Sequence, residues 1–290
     1  MVFHPPVAIV AKAGDAGKYK TGLPIWNMVV RGFMAGAYIA MGAALATVCS
    51  TGVAGFLGAG FGKLILGSVF PVGLIIIVLT GAELFTGDAM LAPMAAFIHK
   101  VSWASVINLW LWVYIGNLIG SIVFAYIMAN GPLTTFGATG AATVNAFGLT
   151  AVNIALGKVS YVSLMGQWSL LLKAIACNWL VNLAILLGIC ADDLIGKFFG
   201  IWFPIMAFVS TGFEHCVANM YFIPAGLLTK GYLSPDQITE IGLAKLEGLN
   251  WVTMWTNNII GATIGNIIGG MLFVGVLYWV AFRKEIAALK

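Results

Sequence analysis

Ser210-Thr211-Gly212-Phe213-Glu214-His215 places a carboxylate and an imidazole inside an apolar run of membrane-crossing length. Imidazole is a donor, an acceptor or a cation near neutral pH, so His215 suits proton handling or hydrogen bonding to a small anion. A second stretch, Gly81-Ala82-Glu83-Leu84-Phe85-Thr86-Gly87-Asp88, interrupts an earlier apolar run and supplies a hydroxyl and two carboxylates. Lipid cannot satisfy freed N–H and C=O groups, so such backbone persists at bilayer depth only when buried in protein or lining a cavity. Two breaks in matching halves point to a substrate pathway.

The chemistry of each break follows from its helix ends. Gly81 and Gly87 bracket the first and permit backbone angles that other residues avoid. Asp88 stands where a helix N-cap is expected, and in the second break a helix is expected to restart around Glu214 to Met220. Each restart leaves unpaired N–H groups and a positive dipole end, which attract a small anion. Glu83 and Glu214 hold corresponding places; a carboxylate repels an anion, so each is expected to accept from loop backbone and hold its break open. Phe70, Leu74, Leu84, Phe85 and Phe208 flank the breaks, either as core packing or as apolar constrictions around a central site.

The elements that position these residues are membrane helices. Hydrophobic residues make up 61% of the chain and charged residues 8%, with a mean hydropathy of +1.01. Six runs reach crossing length: 26–50, 64–97, 103–129, 164–191, 195–229 and 252–282. Six spans put both termini on one side, which then carries nine basic residues against four on the other, and that bias makes the termini cytoplasmic. The expected organisation is a cytoplasmic segment at 1–25, a pore domain at 26–282 and a cytoplasmic tail at 283–290 of a protein in the cell membrane. Lys12 to Lys20 precede a proline and a full-length span, so the N-terminal segment is expected to remain in the mature protein.

An internal repeat divides the spans. Gly116-Asn117-Leu118-Ile119-Gly120 in the third run aligns without a gap with Gly265-Asn266-Ile267-Ile268-Gly269 in the sixth. Three spans per half is odd, so the second half enters from the opposite side as an inverted 3+3 repeat with the second and fifth helices broken. The glycines, four apart, suit close helix packing, and Asn117 and Asn266 suit interhelical hydrogen bonding.

Several function classes find no support. The basic residues form no clustered patch for nucleic acid. His4, His99 and His215 lack metal-ligand spacing, there is no HExxH, and Cys49, Cys177, Cys190 and Cys216 read as packing residues, so neither a metal nor a cofactor is expected. A membrane-embedded hydrolase lacks a G-x-S-x-G turn, and a water or glycerol channel lacks paired Asn-Pro-Ala turns.

Gly81 to Gly87, Cys177-Asn178-Trp179-Leu180-Val181, Gly212-Phe213-Glu214-His215 through Asn219-Met220, Ile223-Pro224 and Gly265 to Gly270 together resemble the formate/nitrite transporter family over roughly residues 20 to 285. The resemblance implies an all-α, aquaporin-like fold and a homopentamer whose protomers each have a pore. It places His215 at the central site, Thr86 on a mobile loop and Asn178 near the pore. It assigns Phe70 and Phe208 to an outer constriction and Leu74, Leu84 and Phe85 to an inner one. Lys158 is the candidate for the family's vestibule lysine, 20 residues before Asn178, whereas Val162 occupies the position of an ungapped count. Lys173 reads as a helix-interface or snorkelling residue.

Glu83 to Asp88 look most like formate members, with nitrite and hydrosulfide as alternatives. The implied partners are formate or a related small anion, a proton and the lipid bilayer. The loop Glu83 to Gly87 is then expected to swing Thr86 toward or away from His215. Protonation of His215 would end its acceptance from the Thr86 hydroxyl.

Overall fold

A computed structural model describes residues 3–138 and 140–288. Helix α1 (Pro6–Thr21) opens on Pro6, whose missing N–H costs nothing in a first turn. It buries Val10, Ala13, Gly14 and Gly17, a helical stripe against a later helix, α6. The stretch expected only as a segment before the first span therefore has a packed structure of its own. Gly17 shows why it fits: a Cβ there would lie 2.0 Å from the carbonyl oxygen of Leu91.

Helix α2 (Ile25–Ser50) is followed by α3 (Val53–Leu57), α4 (Ala59–Val69) and α5 (Val72–Thr80), the last two joined through Phe70-Pro71. After a break come α6 (Phe85–Phe97) and α7 (Trp103–Ala129), the latter capped by Ser102, whose hydroxyl accepts from Ser105 N at 3.1 Å. An antiparallel hairpin, β1 (Thr134–Phe136) and β2 (Ala142–Val144), leads into α8 (Ala146–Lys158). Helix α9 (Leu164–Cys190) precedes α10 (Leu194–Ser210) and α11 (Cys216–Thr229), which are separated by the second break. Then come α12 (Pro235–Ile241), α13 (Leu243–Gly248), α14 (Trp251–Met254), α15 (Ile260–Gly270) and α16 (Leu277–Ala288). Two π-helical turns join the last three into one helix from Trp251 to Ala288.

Among the described residues, five helices are long and apolar enough to cross a bilayer: Ile25–Ser50, Ala59–Thr80, Trp103–Ala129, Leu164–Cys190 and Trp251–Ala288. The fifth expected run, 195–229, is divided between α10, of 17 residues, and α11, of 14 residues. The glycines of the two Gly-Asn-x-x-Gly segments pack alike. A Cβ on Gly120 would meet the carbonyl oxygen of Phe33 on α2 at 2.0 Å, and one on Gly269 would meet that of Ile175 on α9 at 2.3 Å. Small residues let α7 lie on α2 and α15 on α9 backbone to backbone.

The two ends of the bundle are built differently. At one, α1 and α16 lie together, His4 Nε2 is 2.7 Å from Asp192 Oδ1, and Lys100 pairs with Asp15. His4 and Lys12 beside the exposed Asp192 hold its carboxyl below the usual range. At the other end the hairpin, α8, α12 and α13 form a cap in which Gln237 Nε2 donates to Val144 O at 3.0 Å and Tyr232 Oη to Asn130 Oδ1 at 2.6 Å.

Candidate functional site

Both breaks have the same backbone geometry. Gly81 and Gly212 each end a helix at φ 77°, in the left-handed region where a Cβ is strained. Leu84 and His215, both extended, then occupy the N-cap positions of α6 and α11. Asp88 is therefore not the cap; it lies in the first turn of α6, and Thr86 and Gly87 belong to that helix rather than to the irregular stretch.

A pair of asparagines holds the breaks. Asn117 on α7 accepts from Phe85 N at 2.9 Å and donates to Glu83 O at 2.9 Å and Gly32 O at 2.8 Å. Asn266 on α15 accepts from Cys216 N at 2.8 Å and donates to Glu214 O at 2.9 Å and Ala174 O at 2.8 Å. Each asparagine thus ties its break to a neighbouring span, satisfying groups that lipid would leave unpaired. The backbone N–H groups of Glu83 and Glu214 donate across to Arg31 O and Lys173 O, at 3.2 Å and 3.3 Å.

Between the breaks, the Thr86 Oγ1 and His215 Nε2 atoms are 2.9 Å apart. His215 Nδ1 accepts the backbone N–H of Ala218 at 3.0 Å, which makes the imidazole the side-chain cap of α11. A backbone N–H only donates, so Nδ1 carries no proton and the neutral ring has its hydrogen on Nε2, pointing at Thr86. Thr86 then accepts, which reverses the expected direction. A second proton would have to sit on Nδ1 and break the cap, so protonation cannot simply switch off acceptance from Thr86.

The carboxylates have different partners from those expected. Glu214 Oε2 accepts from Lys158 Nζ at 2.9 Å and Asn219 Nδ2 at 2.7 Å, and its Oε1 accepts from Tyr161 Oη at 2.9 Å. Glu83 is paired with Lys20, and Arg31 Nη1 lies 3.5 Å from its Oε1. These are lysine pairs and not loop-backbone acceptors, because the asparagines already satisfy the loops. Burial opposes the charge of Lys20, yet Asp88 and Glu83 hold its ammonium above the ordinary range. The pattern extends further: Arg31 Nη2 donates to Tyr19 Oη at 3.1 Å, and Lys173 Nζ donates to Tyr161 Oη at 3.2 Å.

A cavity approaches the central contact from each side. One, of about 100 Å³, is lined by Lys63, Lys158, Phe70, Phe208 and His215. The other, of about 250 Å³, is lined by Lys20, Arg31, Glu83, Leu84 and Lys197. Phe70 and Phe208 meet edge to face at 5.8 Å, and the Phe208 ring stacks on His215 at 5.8 Å. Leu74, expected at the inner constriction, is buried in the hydrophobic core and lines neither cavity. Phe85 is not brought to either cavity, its ring lying against Tyr114 at 4.9 Å and Trp110 at 6.1 Å.

Asn178 is fully buried and donates to Thr86 O at 3.0 Å and Asn266 O at 2.6 Å. Lys158 reaches Glu214 because α8 ends on it, a helix that a count back from Asn178 does not reveal. Sequence reasoning missed Lys20, Tyr161, Asn182, Asn219 and Asn258 as parts of the site. The Asn178-to-Asn182 spacing was a usable signal, since residues four apart share a helix face. Asn258 Nδ2, 3.4 Å from Glu214 Oε2, is turned inward by a π-helical turn that no pattern in the chain announces.

Comparison with known proteins agrees with this architecture. A family model described as "Formate/nitrite transporter" matches residues 7–280. The chain is 42% identical to a probable formate transporter of Methanothermobacter thermautotrophicus, covering 98% of both chains. It is 36% identical to the formate channel BtFdhC of Bacillus thuringiensis over 100% of both. A solved pentameric formate channel with formate bound superposes with a TM-score of 0.75 at 33% identity, covering 90% of this chain and 98% of that one. Asparagine-tied breaks, a central histidine and crossing helices thus coincide with an alignment over nearly the whole chain, and the protein is a multi-pass membrane protein that belongs to the formate/nitrite transporter family.

Proposed function

We propose that the protein passes formate and similar small monovalent anions through a pore within each protomer of a homopentamer. The Thr86–His215 contact at 2.9 Å, with a cation-lined cavity on either side, carries this reading. Lys158 or Lys20 draws the anion to a mouth, and the apolar collar then strips its water. At the centre the carboxylate takes the place of the Thr86 oxygen as acceptor of the His215 Nε2–H, while the freed Thr86 hydroxyl donates to it. Desolvation raises an acid's pKa, so the anion tends to take up a proton on the way and cross as the neutral acid. The relatives' names as transporters and channels support passage rather than conversion.

The same reading takes residues 26–282 as six spans in two inverted halves, aquaporin-like, with the second and fifth broken at Gly81 and Gly212. The matched bonding of Asn117 and Asn266 supports the repeat, and the excess of basic residues at the end carrying both termini supports a cytoplasmic placement of residues 1–25 and 283–290. Leu84 serves as the inner collar, facing the larger cavity.

Purified protein in liposomes tests the function. Formate, nitrite, acetate, lactate and hydrosulfide fluxes are compared with and without a pH gradient, and the emerging solute is identified chemically. Fast, unconverted formate with slower lactate supports the reading. Faster nitrite or hydrosulfide than formate would reassign the substrate, and absence of protein-dependent flux for all five would reject it.

A further inference from the structure

The two breaks share their glycine and their glutamate, Gly81 with Glu83 and Gly212 with Glu214, but differ in the charge of the buried residue five places after the glutamate. In the second, Asn219 sits in the first turn of α11, is fully buried, and donates its amide to Glu214 Oε2 at 2.7 Å. The corresponding place in the first turn of α6 is Asp88, also fully buried, beside Glu83. A carboxylate cannot donate as an amide does. Its Oδ1 lies 3.2 Å from Lys20 Nζ, an ion contact, and its Oδ2 has no hydrogen-bond partner.

The difference changes the charge of one mouth. Three cations attend each break: Lys20, Arg31 and Lys197 at the first, Lys63, Lys158 and Lys173 at the second. The first has two carboxylates, Glu83 and Asp88, and the second has Glu214 alone. The first mouth is therefore one unit less positive. The elements packed on Asp88 supply Lys20 and Tyr19 from α1, Arg31 from α2 and Lys197 from α10, while α7 offers only the Trp110 indole to the Asp88 carbonyl, at 2.9 Å. Helix α9 adds Ile185 and Ile189 to that cavity and no charge.

We infer that Asp88 is a proton-binding residue at the mouth beside α1, where its ionised form holds anion entry below that of the opposite mouth and its protonated form makes the two equal. A proton on Oδ2 removes one negative charge and gives the side chain the donor that Asn219 already has. An anion entering from the α1 side then meets the same surplus of positive charge as one entering from the α8 side. The inference rests on the transport reading above and adds to it an electrical inequality between the mouths.

The test uses right-side-out and inverted membrane vesicles with labelled formate outside and the external pH varied. For wild-type protein, entry from the α1 side rises as that side is acidified more steeply than entry from the α8 side. Asp88→Asn, which is isosteric, should raise entry from the α1 side at neutral pH by about threefold or more and remove the extra steepness. A variant with wild-type rates and steepness on the α1 side would overturn the inference. The mirror variant Asn219→Asp decides the matter should Asp88→Asn fail to assemble: it should slow entry from the α8 side and give it the steeper pH dependence, and an unchanged α8 side would equally overturn the proposal. Failure of wild-type protein to carry formate in either vesicle would instead reject the transport reading.

Discussion

Asn182 lies one helical turn beyond Asn178 on α9 and donates to the same acceptor, the backbone carbonyl of Thr86, at 3.1 Å. Asn182 Nδ2 also donates to Asn178 O at 2.8 Å, so its two amide hydrogens are used and its orientation is set. Gly270 leaves the room for both amides, since a Cβ there would stand 2.7 Å from Asn182 Nδ2 and 2.8 Å from Asn178 Nδ2. Asn182→Ala should lower the local opening energy around Thr86 by about 0.5–1.5 kcal/mol, the net contribution of one hydrogen bond, because Asn178 still donates to the same carbonyl. Hydrogen exchange at residues 85–88 measures this. Gly270→Ala should speed the same amides by pushing both side chains aside, and slow exchange in both variants would dissociate Asn182 from Thr86.

Asn117 and Asn266 each make three buried side-chain hydrogen bonds to backbone. Alanine at either position should cost about 3 kcal/mol or more, with similar losses in the two halves. Thermal unfolding in detergent reports it. A large loss for one and none for the other would refute their equivalence.

Lys158 and Glu214 form a largely buried pair, and removing one partner strands the other. Lys158→Met should destabilise the protein by about 3–5 kcal/mol, whereas adding Glu214→Gln should restore a substantial part of the loss. The single variant should also weaken anion capture from the α8 side. Equal stability of the single and double variants would argue against coupling.

Phe208 and Phe85 should separate in their effects. Phe208→Ala opens the collar stacked on His215 and should raise lactate flux relative to formate. Phe85→Ala removes a ring packed on Tyr114 and Trp110 and should cost about 3–5 kcal/mol without changing that ratio. Liposome flux together with melting curves distinguishes the two, and a broadened selection in Phe85→Ala would return that residue to the inner collar.

Much of this arrangement was legible because membrane helices write it plainly. Glycine beside a carboxylate inside an apolar run locates each break, and the paired Gly-Asn-x-x-Gly segments mark the two asparagines that tie the breaks to neighbouring helices. Helix-terminal detail was less legible. Asp88 is a normal N-cap residue, but tertiary hydrogen bonds from Asn117 set the start of α6 four residues earlier, at Leu84. Lys158 was hard to place because the hairpin and α8 fold back over the bundle, bringing it to Glu214 across 56 residues of chain. Lys20 was hidden by its place in an apparent tail, whose small-residue stripe is too weakly amphipathic to announce a docked helix.

The proposed passage depends most on the His215 Nε2–H as the donor to a crossing anion. Asparagine at 215 can still cap α11 through the Ala218 N–H but is too short to reach Thr86, so His215→Asn isolates that donor. Stopped-flow formate uptake into liposomes carrying equal amounts of assembled protein is the direct measurement. Uptake should fall about tenfold or more, the rate equivalent of losing one hydrogen bond to a charged group. Wild-type uptake by an intact His215→Asn assembly would contradict the central role of the Thr86–His215 contact.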